Sequence, residues 1–94
     1  MQAVGIDIGT TSICAVVIDE KGTLIKSITK NSEAFINSPY EWEKIQNVEK
    51  ITALAESMLD ELVDENTGAI GVTGQMHGIV YTDEGGNAVS PLYT

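Results

Sequence analysis

Two short runs of aliphatic and β-branched residues, 4–8 and 13–18, flank a glycine and three small hydroxyl residues near the start of the chain. Runs of this length and composition are typical of strands, and Gly9 with the hydroxyl residues after it is typical of the turn between them. Such a turn can direct backbone N–H groups and hydroxyls at one point, which suits anionic oxygen atoms. Asp7 lies beside the turn, so a cation is expected between its carboxylate and a phosphate. The same Asp can also serve only as a turn former.

A second polar segment follows a strand that is predicted to begin at Ala69. It is the string Gly-Gln-Met-His-Gly at 74–78. Gln75 and His77 carry donors and acceptors that can recognise hydroxyl groups, and the flanking glycines allow a ligand to approach the backbone. The alternative interpretation is a structural histidine beside a methionine, Met76, that only packs.

The remaining pattern predicts an α/β chain with the order strand, strand, strand, helix, strand and hairpin. A turn at 19–22 and a third strand at 23–29 complete an antiparallel meander. Residues 30–47 contain several turn formers and predict an irregular connection, in which Tyr40 and Trp42 are expected to anchor the chain by packing.

Asn47 is the predicted N-cap of the helix, with Glu49 in its first turn. Apolar residues recur at steps of three and four and predict one buried stripe, formed by Val48, Ile51, Leu54, Ala55, Met58, Leu59 and Leu62. Acidic residues fall mostly outside this stripe and predict a solvated face, formed by Glu56, Asp60, Glu61, Asp64 and Glu65.

The helix crosses from the meander to the strand at Ala69, so this strand is expected to run parallel to its neighbour in the sheet. Ligands of open α/β sheets collect outside the carboxyl ends of strands. Residues 7–12 and 74–78 both follow such ends, and we expect them to face one cleft. A further ribbon is expected from Ile79, with its turn at 83–87.

The strand at 13–18 is apolar on both faces, and such a strand requires cover above and below. Only one long helix is predicted, and it can cover only one face. The sequence therefore predicts that these residues are the amino-terminal piece of a larger protein, or that another chain covers the second face. Self-association of the isolated chain is expected on the same ground.

Composition narrows the possible partners and compartment. The 94 residues allow one domain at most, and the net charge of −9 disfavours nucleic acid and anionic membranes as partners. A single cysteine, Cys14, excludes an internal disulfide, and its place in an apolar strand predicts packing. No apolar run approaches the roughly 20 residues that cross a bilayer. A cytoplasmic protein is expected.

The segment Asp7-Ile8-Gly9-Thr10-Thr11 resembles the first phosphate motif of the sugar-kinase, actin and heat-shock ATPase superfamily. The string at 74–78 is similar to the sugar-contacting loop of the FGGY carbohydrate kinases, especially the xylulose and sedoheptulose kinases. This resemblance implies that residues 1–94 are the amino-terminal part of the first kinase domain, an incomplete ribonuclease-H-like α/β domain. It also implies ATP-dependent phosphorylation of a ketose such as xylulose or sedoheptulose, with ATP and Mg²⁺ as cofactors.

The resemblance also implies roles for the residues of both motifs. The cofactor-binding set is Asp7, Gly9, Thr10, Thr11 and Ser12, with Asp7 as the metal-binding residue, and the substrate-binding set is Gln75, Met76, His77 and Gly78. The catalytic base, an Asp, is expected downstream, so the chain alone is expected to be inactive. The alternatives are an actin-like or chaperone-type nucleotide switch without sugar chemistry, and a small acidic interaction module. The string at 74–78 favours the kinase, because a nucleotide switch has no use for a sugar-reading loop.

Overall fold

The computed structural model describes all residues 1–94, as two sheets and one helix. The elements follow along the chain as β1 (Gln2–Ile8), β2 (Ser12–Ile18), β3 (Leu24–Asn31), β4 (Phe35–Ile36), β5 (Ile45–Gln46), α1 (Val48–Leu62), β6 (Thr67–Gly74) and β7 (Leu92–Tyr93). The main sheet has the strand order β3-β2-β1-β6, and a small sheet has the order β4-β5-β7.

Strands β1, β2 and β3 form the predicted antiparallel meander. The turn between β2 and β3 is held by Asp19, whose carboxylate accepts hydrogen bonds from the N–H groups of Lys21 and Thr23, both at 2.9 Å. Most of β3 is exposed, as its mixed composition predicts.

The helix begins and packs as its sequence pattern predicts. The side chain of Asn47 caps it by accepting a hydrogen bond from the N–H of Lys50 at 3.0 Å. Its buried residues lie on one stripe and pack on β1 and β2; the core so formed includes Ile51, Ala55, Met58 and Leu62 of the helix and Val4, Ile6, Ile13, Ala15 and Val17 of the strands. The predicted acidic residues are exposed. This helix lacks the length and apolar character that a membrane span requires.

Strand β6 runs parallel to β1, as the helical crossover predicts. In the register of the two strands Ile8 is paired with Gly74. Both strands therefore end at the same edge of the sheet, and the segments that follow them emerge there side by side.

The structure corrects the expectation for the middle of the chain. The third strand continues to Asn31, and the segment predicted to be irregular contains the two-residue strands β4 and β5, which are too short to produce a periodic pattern. The expectation for the aromatic anchors was wrong: Tyr40 and Trp42 are 55% and 78% exposed and stack on each other with ring centroids 5.3 Å apart. Aromatic character alone predicted that they pack on the connection, but the two rings stack on each other and stay exposed.

The end of the chain forms the predicted ribbon, through an antiparallel bridge between Thr82 and Ala88. The carboxylate of Asp83 accepts hydrogen bonds from the N–H groups of Gly85 and Asn87 inside this turn. The bond from the Asn87 backbone is the main cause of the lowered pKa of Asp83. The pairing of β7 with β5 was not predicted.

The two faces of the main sheet differ in whether another element packs on them. The helix packs on one face, while the other face is open along a groove of about 450 Å³ whose lining includes Gly5, Asp7, Cys14 and Thr73. Cys14 is half-buried in this face. The expectation that one helix covers only one face is confirmed.

Candidate functional site

The turn between β1 and β2 has a close backbone contact that only glycine permits. The N–H of Gly9 donates to the carbonyl of Ser12 at 3.0 Å. A Cβ atom at Gly9 would lie 2.8 Å from that same carbonyl oxygen, well inside normal contact distance. The glycine of the motif is therefore a requirement of the turn itself.

The other carbonyl groups of the turn face the protein interior. The carbonyl of Thr11 accepts two bonds from buried Ser32, from its N–H at 2.9 Å and from its hydroxyl at 3.1 Å. The carbonyl of Thr10 accepts from the amide nitrogen Nε2 of Gln46 at 2.6 Å. The carbonyl of Gly9 accepts a longer bond, 3.5 Å, from Nε2 of Gln75.

This arrangement decides where the N–H groups of the turn point. A trans peptide unit is planar, with its N–H directed opposite to its C=O. Because the carbonyls of Gly9 and Thr10 point inward, the N–H groups of Thr10 and Thr11 point away from the interior, and they donate to no group of the chain. Both threonines are exposed. The turn thus presents two free donors and two threonine hydroxyls, a set that suits anionic oxygens.

A buried pair of glutamine side chains connects the turn to the segment after β6. Gln46 is fully buried, and its Oε1 accepts a hydrogen bond from Nε2 of Gln75 at 3.0 Å. Backbone carbonyls can only accept, so the bond to Thr10 fixes which end of the Gln46 amide is NH2, and the Gln75 amide is fixed in turn. The Oε1 of Gln75 is buried and has no hydrogen-bond partner.

Asp7 lies at the end of β1 on the open face of the sheet. It is exposed, and its carboxylate forms no ion pair within the chain. Its neighbours across the sheet are Cys14 and Thr73, neither of which carries a positive charge. No cluster of three or more His, Cys, Asp or Glu side chains is present. A lone free carboxylate fits Mg²⁺, which commonly takes one or two carboxylates together with phosphate oxygens and water.

The segment at 75–78 is held at its ends and free at its tip. The residue that follows it, Ile79, exchanges two backbone hydrogen bonds with Tyr93, at 2.9 and 2.8 Å. Gly78 lies close to Leu92, whose Cδ1 would be 2.8 Å from an added Cβ. At the tip, Met76 is 88% exposed, and His77 is exposed with no hydrogen bond to the chain.

The structure therefore brings the two sequence motifs together through Gln75, while Met76 and His77 extend into solvent. Sequence reasoning missed Ser32 and Gln46, which orient the turn from behind. Neither residue belongs to a recognisable motif. Each bonds the turn through its side chain from a position far away in the sequence, and a local sequence pattern does not reveal such a contact.

The matching family model is that of the FGGY family of carbohydrate kinases, N-terminal domain, which covers residues 2–94. The chain is 34% identical over 93 residues to the xylulose kinase of Lactococcus lactis subsp. lactis (strain IL1403), a match that covers 93% of this chain and 18% of the relative. It is 31% identical over 88 residues to a xylulose kinase of Staphylococcus epidermidis, covering 87% of this chain and 17% of the relative. The chain thus spans under a fifth of the length of these relatives.

Among solved structures, a gluconate kinase from Lactobacillus acidophilus superposes with a TM-score of 0.82 at 20% identity, over 99% of this chain and 19% of that one. This likeness shows the fold alone, an α/β fold shared with sugar kinases. The family match extends over nearly every residue described above, including both motifs. The chain belongs to the FGGY family of carbohydrate kinases.

Proposed function

We propose that this chain is the amino-terminal part of a kinase that transfers a phosphoryl group from ATP to a hydroxyl group of a ketose. The observation that carries the proposal is the hydrogen-bonded connection from Thr10 through Gln46 to Gln75. It joins an anion-binding turn to a segment with free hydroxyl-recognising side chains at one edge of the sheet. The relatives named xylulose kinase make xylulose the first substrate to test.

The turn is the phosphate-binding half of the site in this proposal. The outward N–H groups of Thr10 and Thr11, together with the hydroxyls of residues 10–12, bind phosphate oxygens of ATP. Gly9 permits the close turn that orients them. Asp7 is the residue that would hold Mg²⁺, which supplies charge neutralisation for the phosphates when it is bound.

The segment at 75–78 is the sugar-binding half. His77 has both ring nitrogens free of the chain and can bond sugar hydroxyls, while Met76 offers an apolar surface to the carbon skeleton. Gln75 has its NH2 engaged within the chain and its Oε1 buried without a partner, so Oε1 would accept from a sugar hydroxyl only after the segment moves to expose it. Gly78 allows the segment to lie close to Leu92.

The proposal assigns the catalytic base and the adenosine-binding residues to a remainder of the protein beyond residues 1–94. Positioning and charge neutralisation dominate phosphoryl transfer, so residues 1–94 orient the reactants, while the base beyond them takes the proton. The isolated chain is accordingly proposed to have no turnover. The remainder, or a second copy of the isolated chain, would cover the open face of the sheet. We propose the cytoplasm, where ATP is available, as the compartment.

The test is an assay of the full-length protein with ATP, Mg²⁺ and a panel of ketoses, aldoses and polyols, with ADP release and the phosphorylated sugar both measured. We expect phosphorylation of a ketose such as xylulose or sedoheptulose. Hydrolysis of ATP that no sugar stimulates would instead support a nucleotide switch. Absence of any effect of ATP or sugar on activity or thermal stability would favour the interaction module.

A further inference from the structure

Gln46 is a polar side chain placed where polar groups are costly. Its relative exposure is 0%, within the short strand β5, where it pairs with Phe35 on one side and Leu92 on the other. A buried amide is tolerated only when its donors and acceptor find partners. Its NH2 bonds the Thr10 carbonyl, and its Oε1 accepts from Gln75.

We infer that Gln46 is a positioning residue that holds the phosphate-binding turn and the sugar-binding segment in one geometry, an inference that rests on the proposed function. Its NH2 turns the peptide unit between Thr10 and Thr11 so that the Thr11 N–H faces outward. Its Oε1 aligns the amide of Gln75, which in turn bonds the Gly9 carbonyl. One side chain that is too buried to reach either substrate therefore controls both halves of the site.

The consequence is a coupling between nucleotide and sugar recognition. Loss of the amide leaves the Thr10 carbonyl without its partner, and the peptide unit is then free to rotate its N–H away from the phosphate. The same loss releases the Gln75 amide from one of its two acceptors. Both substrates should bind less well, although neither has lost a direct contact.

The experiment uses the full-length protein and two substitutions of similar volume. Gln46→Met removes both hydrogen bonds, and Gln46→Glu in its ionised form removes the donor to Thr10 but keeps an acceptor for Gln75. For Gln46→Met we expect the KM for MgATP and the KM for the sugar each to rise about 3- to 10-fold, the range for loss of one net hydrogen bond. For ionised Gln46→Glu we expect the KM for MgATP to rise more than the KM for the sugar, because only the bond to the turn is lost.

The double variant Gln46→Met/Gln75→Met supplies a second readout. Both substitutions break the same connection, so their effects on the sugar KM should be less than multiplicative. Fully multiplicative effects would show that the two side chains act separately, which would overturn the inference.

A matched control separates positioning from general loss of stability. Val4 is 1% exposed in the half of β1 farther from the turn, so Val4→Ala should lower the melting temperature while both KM values stay unchanged. If Gln46→Met lowers only the melting temperature, as this control does, Gln46 is merely structural and the inference is overturned. If the unmodified protein phosphorylates no sugar, the proposed function itself fails and the inference falls with it, an outcome recognised before any variant is compared.

Discussion

The turn at 9–12 and the tip of the segment at 75–78, for which we propose phosphate and sugar binding, lie at one edge of the sheet but differ in how the chain holds them. In the turn, the carbonyls of all four residues 9–12 accept hydrogen bonds from within the chain. At the tip, Met76 is 88% exposed and His77 has no partner. The turn is organised before any ligand arrives, whereas the tip is fixed only at its two ends.

This difference has a physical consequence for recognition. Donors that already point at the position of a charge need no reorganisation when that charge arrives, which makes them effective for phosphate. A tip with few contacts can adjust to the hydroxyl pattern of a substrate, at the cost of ordering it upon binding. Substitutions in the turn should therefore lower the affinity for nucleotide and the rate of the chemical step. Substitutions at the tip should lower the affinity for sugar alone.

Replacing the free carboxylate beside the turn should have the largest effect. Asp7→Asn keeps the size of the side chain but removes the charge that would hold Mg²⁺, so kcat should fall on the order of 10²- to 10³-fold, as for loss of other preorganised electrostatic groups. Steady-state kinetics of the full-length protein checks this result. Asp60→Asn, which changes one exposed carboxylate on the helix, is the control and should leave kcat unchanged. An Asp7→Asn variant with normal kcat would remove Asp7 from the metal site.

A substitution that disturbs the organised turn should come next. Gly9→Ala places a Cβ 2.8 Å from the Ser12 carbonyl oxygen, which must move and lose its bond from the Gly9 N–H. We expect the KM for MgATP to rise about tenfold, in line with the loss of a hydrogen bond. Gly86→Ala is the matched control, because it also strains a tight turn, at a φ of 82° in the distant ribbon, and should leave the KM for MgATP unchanged. Equal kinetics for the two variants would show that the turn does not depend on its glycine.

The free tip should give a smaller and more selective effect. His77→Ala removes no bond within the chain, so the melting temperature and the KM for MgATP should be unchanged while the sugar KM rises about fivefold. Isothermal titration with sugar and with nucleotide separates the two affinities. A parallel loss of nucleotide affinity would mean that the tip and the turn are not distinct in the way described above.

The smallest effect on the kinetics is expected from substituting a residue that stabilises the fold but has no part in the proposed site. Asn47→Ala removes the helix cap next to Gln46, and should lower the free energy of unfolding by about 1 kcal/mol with both KM values unchanged. Asn47→Asp, which keeps a capping oxygen, should restore most of this stability. Denaturant titration measures the loss. A changed KM would show that the helix start and the turn supports act as one unit.

Much of the fold could be predicted because the determining signals are local. The β-branched runs of β1 and β2, the three- and four-residue steps from Ile51 to Leu62, and the Asn47 cap each occupy one stretch of sequence. The parallel placement of β6 followed from the handedness of helical crossovers. From these elements, the sequence alone placed both polar motifs at one edge of the sheet.

The strands β4, β5 and β7 could not be predicted, because two-residue strands have no period and exist only through partners distant in sequence. Ser32 and Gln46 were missed for the same reason. Composition and local pattern indicated the two segments for which we propose phosphate and sugar binding. The tertiary structure alone decided which way the peptide units of the turn face, because buried side chains from remote parts of the chain bond their carbonyls.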